Sequence, residues 1–278
     1  MLEKIRQKNK QGILKRKSTK TAGSGLAKTR KEGKMNTETK PRSNIKYMIS
    51  AILEIIVVLL PLYIGIYISA ELGLNHIPLG GDVVMLGGYP QIIGFFITIT
   101  LLFLFSKKRK GGWKSIGMSK PKNWLKTIFL GIVISGIVFV AVSFVINPLI
   151  RTLFPEQVRD MSVFNHLEGN IPNLLIQLFT VWVSAAFGEE IIFRGYMIER
   201  LIKDKTKLKP LKVIAVLLIS SIIFGCAHLY QGPIGMIKTG AIGLVFGGCY
   251  FLSKRSLWPL IIAHGLIDTI DMITRFLG

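Results

Sequence analysis

From Tyr47 to the last residue, the chain is a succession of apolar stretches, each of about the length that crosses a bilayer as a helix. A bilayer core about 30 Å thick takes about 20 helical residues. Half of the residues are hydrophobic and 18% are charged, which excludes an ordinary soluble protein, a disordered chain and a fibrous repeat. Because lipid offers no partner to unpaired backbone groups, the sequence predicts an all-α, polytopic membrane helix bundle. The seven predicted spans are Tyr47–Ala70, Val84–Ser106, Thr127–Ile150, Ile171 to about Ile202, Val213–Leu229, Ile234–Ser253 and Leu257–Leu277.

The basic residues of the loops alternate along the chain. Loop 107–126 holds eight Lys and Arg and no acid, and loop 200–212 holds six. Loop 71–83 holds none, and loop 151–170 holds two against three acids. Because short cytoplasmic loops carry the excess of Lys and Arg, this pattern predicts a cytoplasmic N-terminus and an external C-terminus. The predicted location is the cell membrane, that of a bacterium.

Residues 1–46 hold 15 Lys and Arg against 3 acids, which is most of the net charge of +21. They have no sustained apolar periodicity, so we predict a disordered cytoplasmic arm that is attracted to lipid headgroups. No aromatic residues interleave its lysines as a nucleic-acid surface needs, so no nucleic-acid partner is predicted. The predicted organisation is therefore this arm, three N-terminal spans in 47–170, and four further spans in 171–278.

Ionisable side chains inside the spans are the second informative feature, since each costs at least about 2.5–3.5 kcal/mol at membrane depth. Most of them lie in the last four spans. Besides Glu54 and Lys238, they are Glu189, Glu190, Arg194, His228, His264, Asp268 and Asp271.

In the fourth span, helical spacing places Glu190 and Arg194 at i and i+4, where they can pair. Glu189 points about 100° away and lacks that partner. It requires a cation, a metal ion, a histidine or its own protonation. The alternative is that both glutamates belong to a charge network that ends the helix near the cytoplasm, with Arg200 and Lys203 close by.

His228 lies near the end of the fifth predicted span, and a lone histidine on an apolar helix is more often a packing residue than a ligand. His264 and Asp268 share one face of the seventh span at i and i+4. If these helices converge with Glu189, two imidazoles and two carboxylates meet, and both belong to the ligand set of Zn²⁺. A catalytic zinc ion keeps one position open for a water, and an unliganded glutamate can take the proton of that water.

These three blocks together resemble a known family. Glu189-Glu190-Ile-Ile-Phe-Arg194, Phe224-Gly-Cys-Ala-His228 and His264-Gly-Leu-Ile-Asp268 are similar to the EExxxR, FxxxH and HxxxN/D blocks of the CPBP intramembrane proteases. This family is also called Abi and includes the type II CAAX prenyl endopeptidases and lysostaphin-resistance-like proteins. The resemblance covers residues 171–278, with Asp268 where many relatives have Asn.

The resemblance implies a catalytic set of Glu189, His228, His264 and Asp268. Glu189 and His228 would activate the water, and His264 and Asp268 would hold a metal ion or polarise the scissile carbonyl. Zn²⁺ held by His228, His264 and Asp268 is the cofactor that this implies, if the family uses a metal. Glu190 and Arg194 would be supporting residues.

The leading hypothesis is an intramembrane endopeptidase that acts on a membrane-associated or lipidated peptide or protein. One alternative is a non-catalytic scaffold or a bacteriocin or toxin immunity protein of the same fold. Another is a proton-coupled transporter, which the lack of an internal repeat disfavours. The glycines of the fifth and sixth spans, including the GxxxG pair Gly243 and Gly247, predict close helix packing.

Overall fold

The computed structural model describes residues 44–74, 76–80, 83–86, 88–109, 112–202 and 209–278. The predicted disordered arm, residues 1–46, lies almost entirely outside the described residues. So do residues 203–208, which carry much of the basic charge of the fourth loop. The division of the chain into three parts stays a prediction.

The described residues form a helical bundle with one short antiparallel hairpin, β1 (His76–Gly80) and β2 (Val83–Leu86). The prediction of an all-α membrane helix bundle is confirmed as the fold class. In chain order the helices are α1 (Asn44–Glu71), α2 (Tyr89–Lys108), α3 (Gly112–Ser115), α4 (Trp124–Leu153), α5 (Ile171–Leu201), α6 (Pro210–Cys226), α7 (Gly232–Leu252) and α8 (Trp258–Leu277).

The second predicted span begins too early. Val83–Leu86 form strand β2, and α2 begins only at Tyr89, with a proline in its first turn. A run of four apolar residues is equally compatible with a strand and with a helix. The proline is the better marker of the helix start, because its fixed φ angle suits the first turn.

Five helices among the described residues are long and apolar enough to cross a membrane. Helix α6 is apolar but has only 17 residues, and α8 carries Asp268, Asp271 and Arg275 within its 20. The chain is thus a multi-pass membrane protein, while seven spans and the cytoplasmic N-terminus stay predictions. The five helices are Ile45–Glu71, Tyr89–Lys108, Trp124–Leu153, Ile171–Leu201 and Leu229–Leu252.

Helix α5 is the central element of the bundle. Every residue from 190 to 202 is buried, whereas α1 and α4 expose many large apolar side chains, as lipid-facing helices do. Residues Val181–Ile198 of α5 have the wider π-helical hydrogen bonding. Such turns are rare and frequently occur at functional sites.

Glycines allow α6 and α7 to approach closely. A methyl group on Gly225 would lie 2.6 Å from the carbonyl oxygen of Met236, and one on Gly247 would lie 2.5 Å from a methyl of Leu217. One on Gly243 would lie 2.8 Å from the ring of Phe224. The predicted close packing is therefore present, and the GxxxG pair faces α6 of the same chain.

Candidate active site

Glu190 and Arg194 form the ion pair that helical spacing predicts. Arg194 Nη1 lies 3.0 Å from Glu190 Oε1, with side-chain exposures of 2% and 0%. Arg194 Nη2 donates to the carbonyl oxygen of Gly243 at 3.3 Å, and the guanidinium lies over the ring of Phe224, 4.3 Å from its centre. The pair is thus enclosed by α5, α6 and α7.

Arg200 does not join Glu189 and Glu190 in the charge network that the alternative interpretation of the sequence expected. Arg200 Nε pairs instead with Glu54 of α1 at 3.0 Å, and Glu54 also accepts from Tyr196 and Arg109. Lys203 lies outside the described residues. Glu54, the single charge of the first predicted span, therefore belongs to a separate cluster that joins α1, α2 and α5.

Glu190 has a second contact, with His264 of α8. His264 Nδ1 lies 2.9 Å from Glu190 Oε1, the oxygen that also accepts from Arg194. Because this oxygen is paired with a guanidinium, Nδ1 carries the hydrogen and donates it. This contact was missed in the sequence, because it depends on how two distant helices pack.

His228 lies in the turn just beyond the C-terminal end of α6. Its Nδ1 lies 2.9 Å from the carbonyl oxygen of Phe224, which can only accept, so Nδ1 is the donor. Its ring packs edge-on against Phe224 and lies 5.9 Å from the ring of Tyr230. His228 is thus packed as well as oriented, and Nε2 is left to face Glu189.

Glu189 lies between the two imidazoles. Glu189 Oε1 is 3.8 Å from His228 Nε2, and Oε2 is 3.9 Å from His264 Nε2. Oε2 is buried and has no hydrogen-bond partner among the described residues. Both separations exceed a direct hydrogen bond and suit a bridging water or substrate atom. The residues predicted from α5, the end of α6 and α8 are thus neighbours.

Asp268 completes this cluster. Its Oδ2 lies 3.5 Å from His264 Nε2, in the i and i+4 relation expected from the sequence. Asp271, three residues further along the same helix, pairs with Arg275 at 3.0 Å. His264 is therefore flanked by carboxylates on both ring nitrogens, from Glu190 and from Asp268.

The donor chemistry of the cluster suits Zn²⁺, since it combines imidazoles with carboxylates. Nevertheless, the described residues contain no group of three or more His, Cys, Asp or Glu side chains that is arranged to hold a metal ion. The Nδ1 atoms of both histidines are engaged by a carbonyl and a carboxylate oxygen, which leaves Nε2 of each ring available. Zn²⁺ at this site therefore stays a prediction.

Two residues near the cluster, one in a loop and one in helix α1, were missed in the sequence. Arg159 lies in the loop between α4 and α5, and its Nε donates to Gln231 Oε1 at 2.8 Å. From α1, the hydroxyl of Tyr63 donates to the carbonyl oxygen of Ile223, near the end of α6 that carries His228. Charged and aromatic residues in such places are usually solvent- or lipid-facing, so no sequence signal distinguished them.

The comparison with protein families connects this geometry to a known class. Residues 171–270 match the family model described as type II CAAX prenyl endopeptidase Rce1-like. This part of the chain is therefore similar to that family. Glu189, His228, His264 and Asp268 all lie within it, whereas α1, α2 and α4 lie before it. Neither the curated proteins nor the solved structures gave a match.

Proposed function

We propose that the chain is an intramembrane endopeptidase that hydrolyses a peptide bond of a membrane-associated or lipidated peptide or protein. The observation that carries the proposal is the position of Glu189 between His228 Nε2 and His264 Nε2, 3.8 and 3.9 Å away. The match of residues 171–270 to the Rce1-like family model supports this class of activity. The membrane in which it acts is proposed to be the plasma membrane of a bacterium.

The first step of the proposed reaction is activation of a water. A water between Glu189 Oε1 and His228 Nε2 can give a proton to the carboxylate while its oxygen attacks the scissile carbonyl carbon. His228 is suited to orient it, because its Nδ1 donates to Phe224 and leaves Nε2 as an acceptor. A positioned general base of this kind contributes typically about 10²–10⁴-fold to the rate.

The second requirement is stabilisation of the negative charge that develops on the carbonyl oxygen. His264 is the proposed donor, through Nε2. An imidazolium at this position would be charge-balanced, because Glu190 and Asp268 flank its two ring nitrogens. A preorganised donor of this type acts strongly at a site with little water. When the C–N bond breaks, Glu189 returns its proton to the amine.

Glu190 and Arg194 are proposed as positioning residues. Glu190 fixes the ring of His264 through Nδ1, and Arg194 holds the Glu190 carboxylate in place. Neither is required to touch the substrate. Asp268, 3.5 Å from Nε2, is proposed to fix the other side of the same ring.

The test is a comparison of the wild-type protein with Glu189→Gln and His228→Asn in cells. Peptide-mass mapping of membrane proteins should show cleavage products that disappear in both variants while the protein stays in the membrane. Glu71→Gln, an exposed carboxylate at the end of α1, is the matched control and should leave the products unchanged.

Full cleavage by purified Glu189→Gln protein would exclude the proposed role of Glu189. The double variant Glu189→Gln/His264→Asn can also be tested for rescue of whatever defect deletion of the gene causes. If it rescues that defect, and the wild type yields no cleavage product, the protein is a scaffold or immunity protein instead. Metal analysis of the same purified protein tests the zinc prediction independently.

A further inference from the structure

Two cations near the candidate site have no assigned role. Arg159 lies in the loop between α4 and α5, and Lys238 lies in α7. Both are partly buried, and Lys238 is one of the charges that the sequence analysis left without a function. A methyl group on Gly235, three residues before Lys238 and therefore on the same side of α7, would lie 3.4 Å from Cγ of Arg159. The charge of Arg159 also acts on Lys238.

Arg159 is held firmly at its Nε atom. Nε donates to Gln231 Oε1 at 2.8 Å, and the backbone N–H of Asp160 donates to the carbonyl oxygen of Gln231 at 3.0 Å. Gln231 is only 2% exposed, and its amide donates to the hydroxyl of Tyr230. These hydrogen bonds hold the loop between α4 and α5 against the turn that follows His228.

The outer nitrogens of Arg159 are left available. Within the part of the chain that the structure describes, Nη1 and Nη2 of Arg159 and Nζ of Lys238 have no hydrogen bond or ion pair. Burial lowers the pKa of the Arg159 guanidinium, but an arginine keeps its charge in proteins. A guanidinium that is fixed at Nε and has free Nη atoms is suited to donate hydrogen bonds to a carboxylate.

The nearby acids do not neutralise these two cations by direct contact. Asp271 is engaged by both Nε and Nη2 of Arg275, and Asp268 lies 3.5 Å from His264. Both acids attract Arg159 electrostatically, yet neither lies within ion-pair distance of it. Arg159 and Lys238 therefore remain two neighbouring positive charges, an arrangement that a bound anion would stabilise.

Arg159 also lies near the candidate catalytic groups. The charge of Arg159 acts on His228 and on Asp268. Through Gln231 and Tyr230, Arg159 is linked to the ring that packs next to His228. A peptide whose scissile bond lies at Glu189 would therefore place a neighbouring group close to Arg159.

We infer that Arg159 and Lys238 form an anion subsite that binds a carboxylate of the peptide substrate, either its C-terminal carboxylate or an acidic side chain near the scissile bond. This inference rests on the proposed function, because it assigns a substrate feature to the same site. The subsite selects peptides that present a carboxylate, and it fixes their position relative to Glu189.

The test measures binding without turnover. Full-length Glu189→Gln protein is placed in zwitterionic phosphatidylcholine nanodiscs. The probe is a synthetic Leu/Ala peptide that can enter the bilayer, made with a free C-terminal carboxylate, as its C-terminal amide, and as the amide with one internal Glu. We expect at least one carboxylate form to bind about tenfold more tightly than the plain amide. Tighter binding of the peptide with the free C-terminus identifies the C-terminal carboxylate as the ligand. Tighter binding of the amide with the internal Glu identifies an acidic side chain.

The ratio of the dissociation constants of the amide and carboxylate peptides should fall close to one in Arg159→Gln and in Lys238→Met. It should stay near ten in Lys126→Met, which removes an exposed lysine at the start of α4. Arg159→Glu should reverse the preference towards a peptide that ends in an amine. This reversal requires a folded protein, so it separates a lost subsite from a lost fold.

Equal binding of all three peptides by the parent protein would overturn the inference. So would a preference that survives in Arg159→Gln/Lys238→Met. If these variants instead change only the stabilisation of the protein by phosphatidylglycerol, the cations bind lipid headgroups and the inference is wrong. Because no hydrolysis is measured, a failure of the proposed endopeptidase activity is registered separately, by the cleavage experiment.

Discussion

Glu190 is the residue on which the geometry of the site most depends. One of its oxygens is shared by Arg194 and His264, at 3.0 and 2.9 Å, and its side chain is fully buried. A buried charge is tolerated only when it is paired and hydrogen-bonded. The same interaction that makes Glu190 tolerable in the bundle therefore also orients the imidazole next to Glu189.

Arg194→Met should lower the free energy of unfolding by about 3–5 kcal/mol, because it leaves Glu190 as a buried charge without its guanidinium. Adding Glu190→Gln should recover much of this loss, whereas cleavage should stay low because His264 has lost its carboxylate partner. Denaturant titration in detergent micelles gives the stability, and peptide-mass mapping gives the activity.

Arg275→Met is the matched control for that prediction. It breaks another i and i+4 pair, Asp271–Arg275, which is considerably more exposed. Surface pairs contribute about 0–1 kcal/mol, so the loss should be correspondingly small. Losses of equal size in the two variants would contradict the role given to the buried pair.

At this scale, sequence predicts what lies within one helix better than what lies between helices. The Glu190–Arg194 and His264–Asp268 relations follow from helical spacing and are present. The Glu190–His264 contact joins residues 74 positions apart, so it depends on the packing of α5 against α8. Arg159 was missed because a charged loop residue ordinarily faces solvent.

Helices α6 and α7 meet at glycines, and this contact positions His228. The space for a side chain on Gly225 is closed by the backbone of Met236 at 2.6 Å, which cannot move independently of α7. His228 follows three residues later, directly after the end of α6. The separation of these two helices is therefore coupled to the position of the imidazole.

Gly225→Ala should destabilise the protein by about 1–3 kcal/mol through overpacking and should reduce cleavage as His228 shifts. Gly248→Ala on α7 is the control, because an added methyl group there meets nothing within 4 Å. Replacing a helical glycine without steric conflict gains up to about 1 kcal/mol. Thermal unfolding and cleavage are measured for both, and equal behaviour would contradict the packing argument.

The hydrophobic elements were largely predictable, but their ends and their internal geometry were not. Each predicted span overlaps a helix, yet residues 84–86 of strand β2 were assigned to the second span. The π-helical stretch Val181–Ile198 has no composition that sets it apart from an α-helix. Its hydrogen bonding reflects the packing that surrounds α5.

On the scale of the whole molecule, the residues that match the family model are bonded to a helix outside that match. Glu54 of α1 binds Arg200 and Tyr196 of α5, and Tyr63 of α1 binds Ile223 of α6. The bonds to Glu54 are charge-assisted and contribute about 1.5–3 kcal/mol each, whereas the neutral Tyr63 bond contributes about 1 kcal/mol. The first helix thus helps to hold the part of the chain that carries the candidate site.

The predicted topology is tested by labelling single cysteines in intact cells, in a Cys226→Ala/Cys249→Ala background. A cysteine at Lys122 should be protected from a membrane-impermeant maleimide, because loop 107–126 is predicted to be cytoplasmic. A cysteine at Val158 should be labelled, because loop 151–170 is predicted to be external and Val158 is 87% exposed. The reverse pattern would contradict the predicted orientation.

The central claim is that Glu189 and the two imidazoles direct a water to a peptide bond. It is tested most directly by incubating purified protein with membrane protein extract in H₂¹⁸O. We predict new C-terminal carboxylates that carry one ¹⁸O atom, seen by mass spectrometry with wild-type protein and lost with Glu189→Gln. New termini without ¹⁸O, or labelled termini that persist in Glu189→Gln, would contradict it.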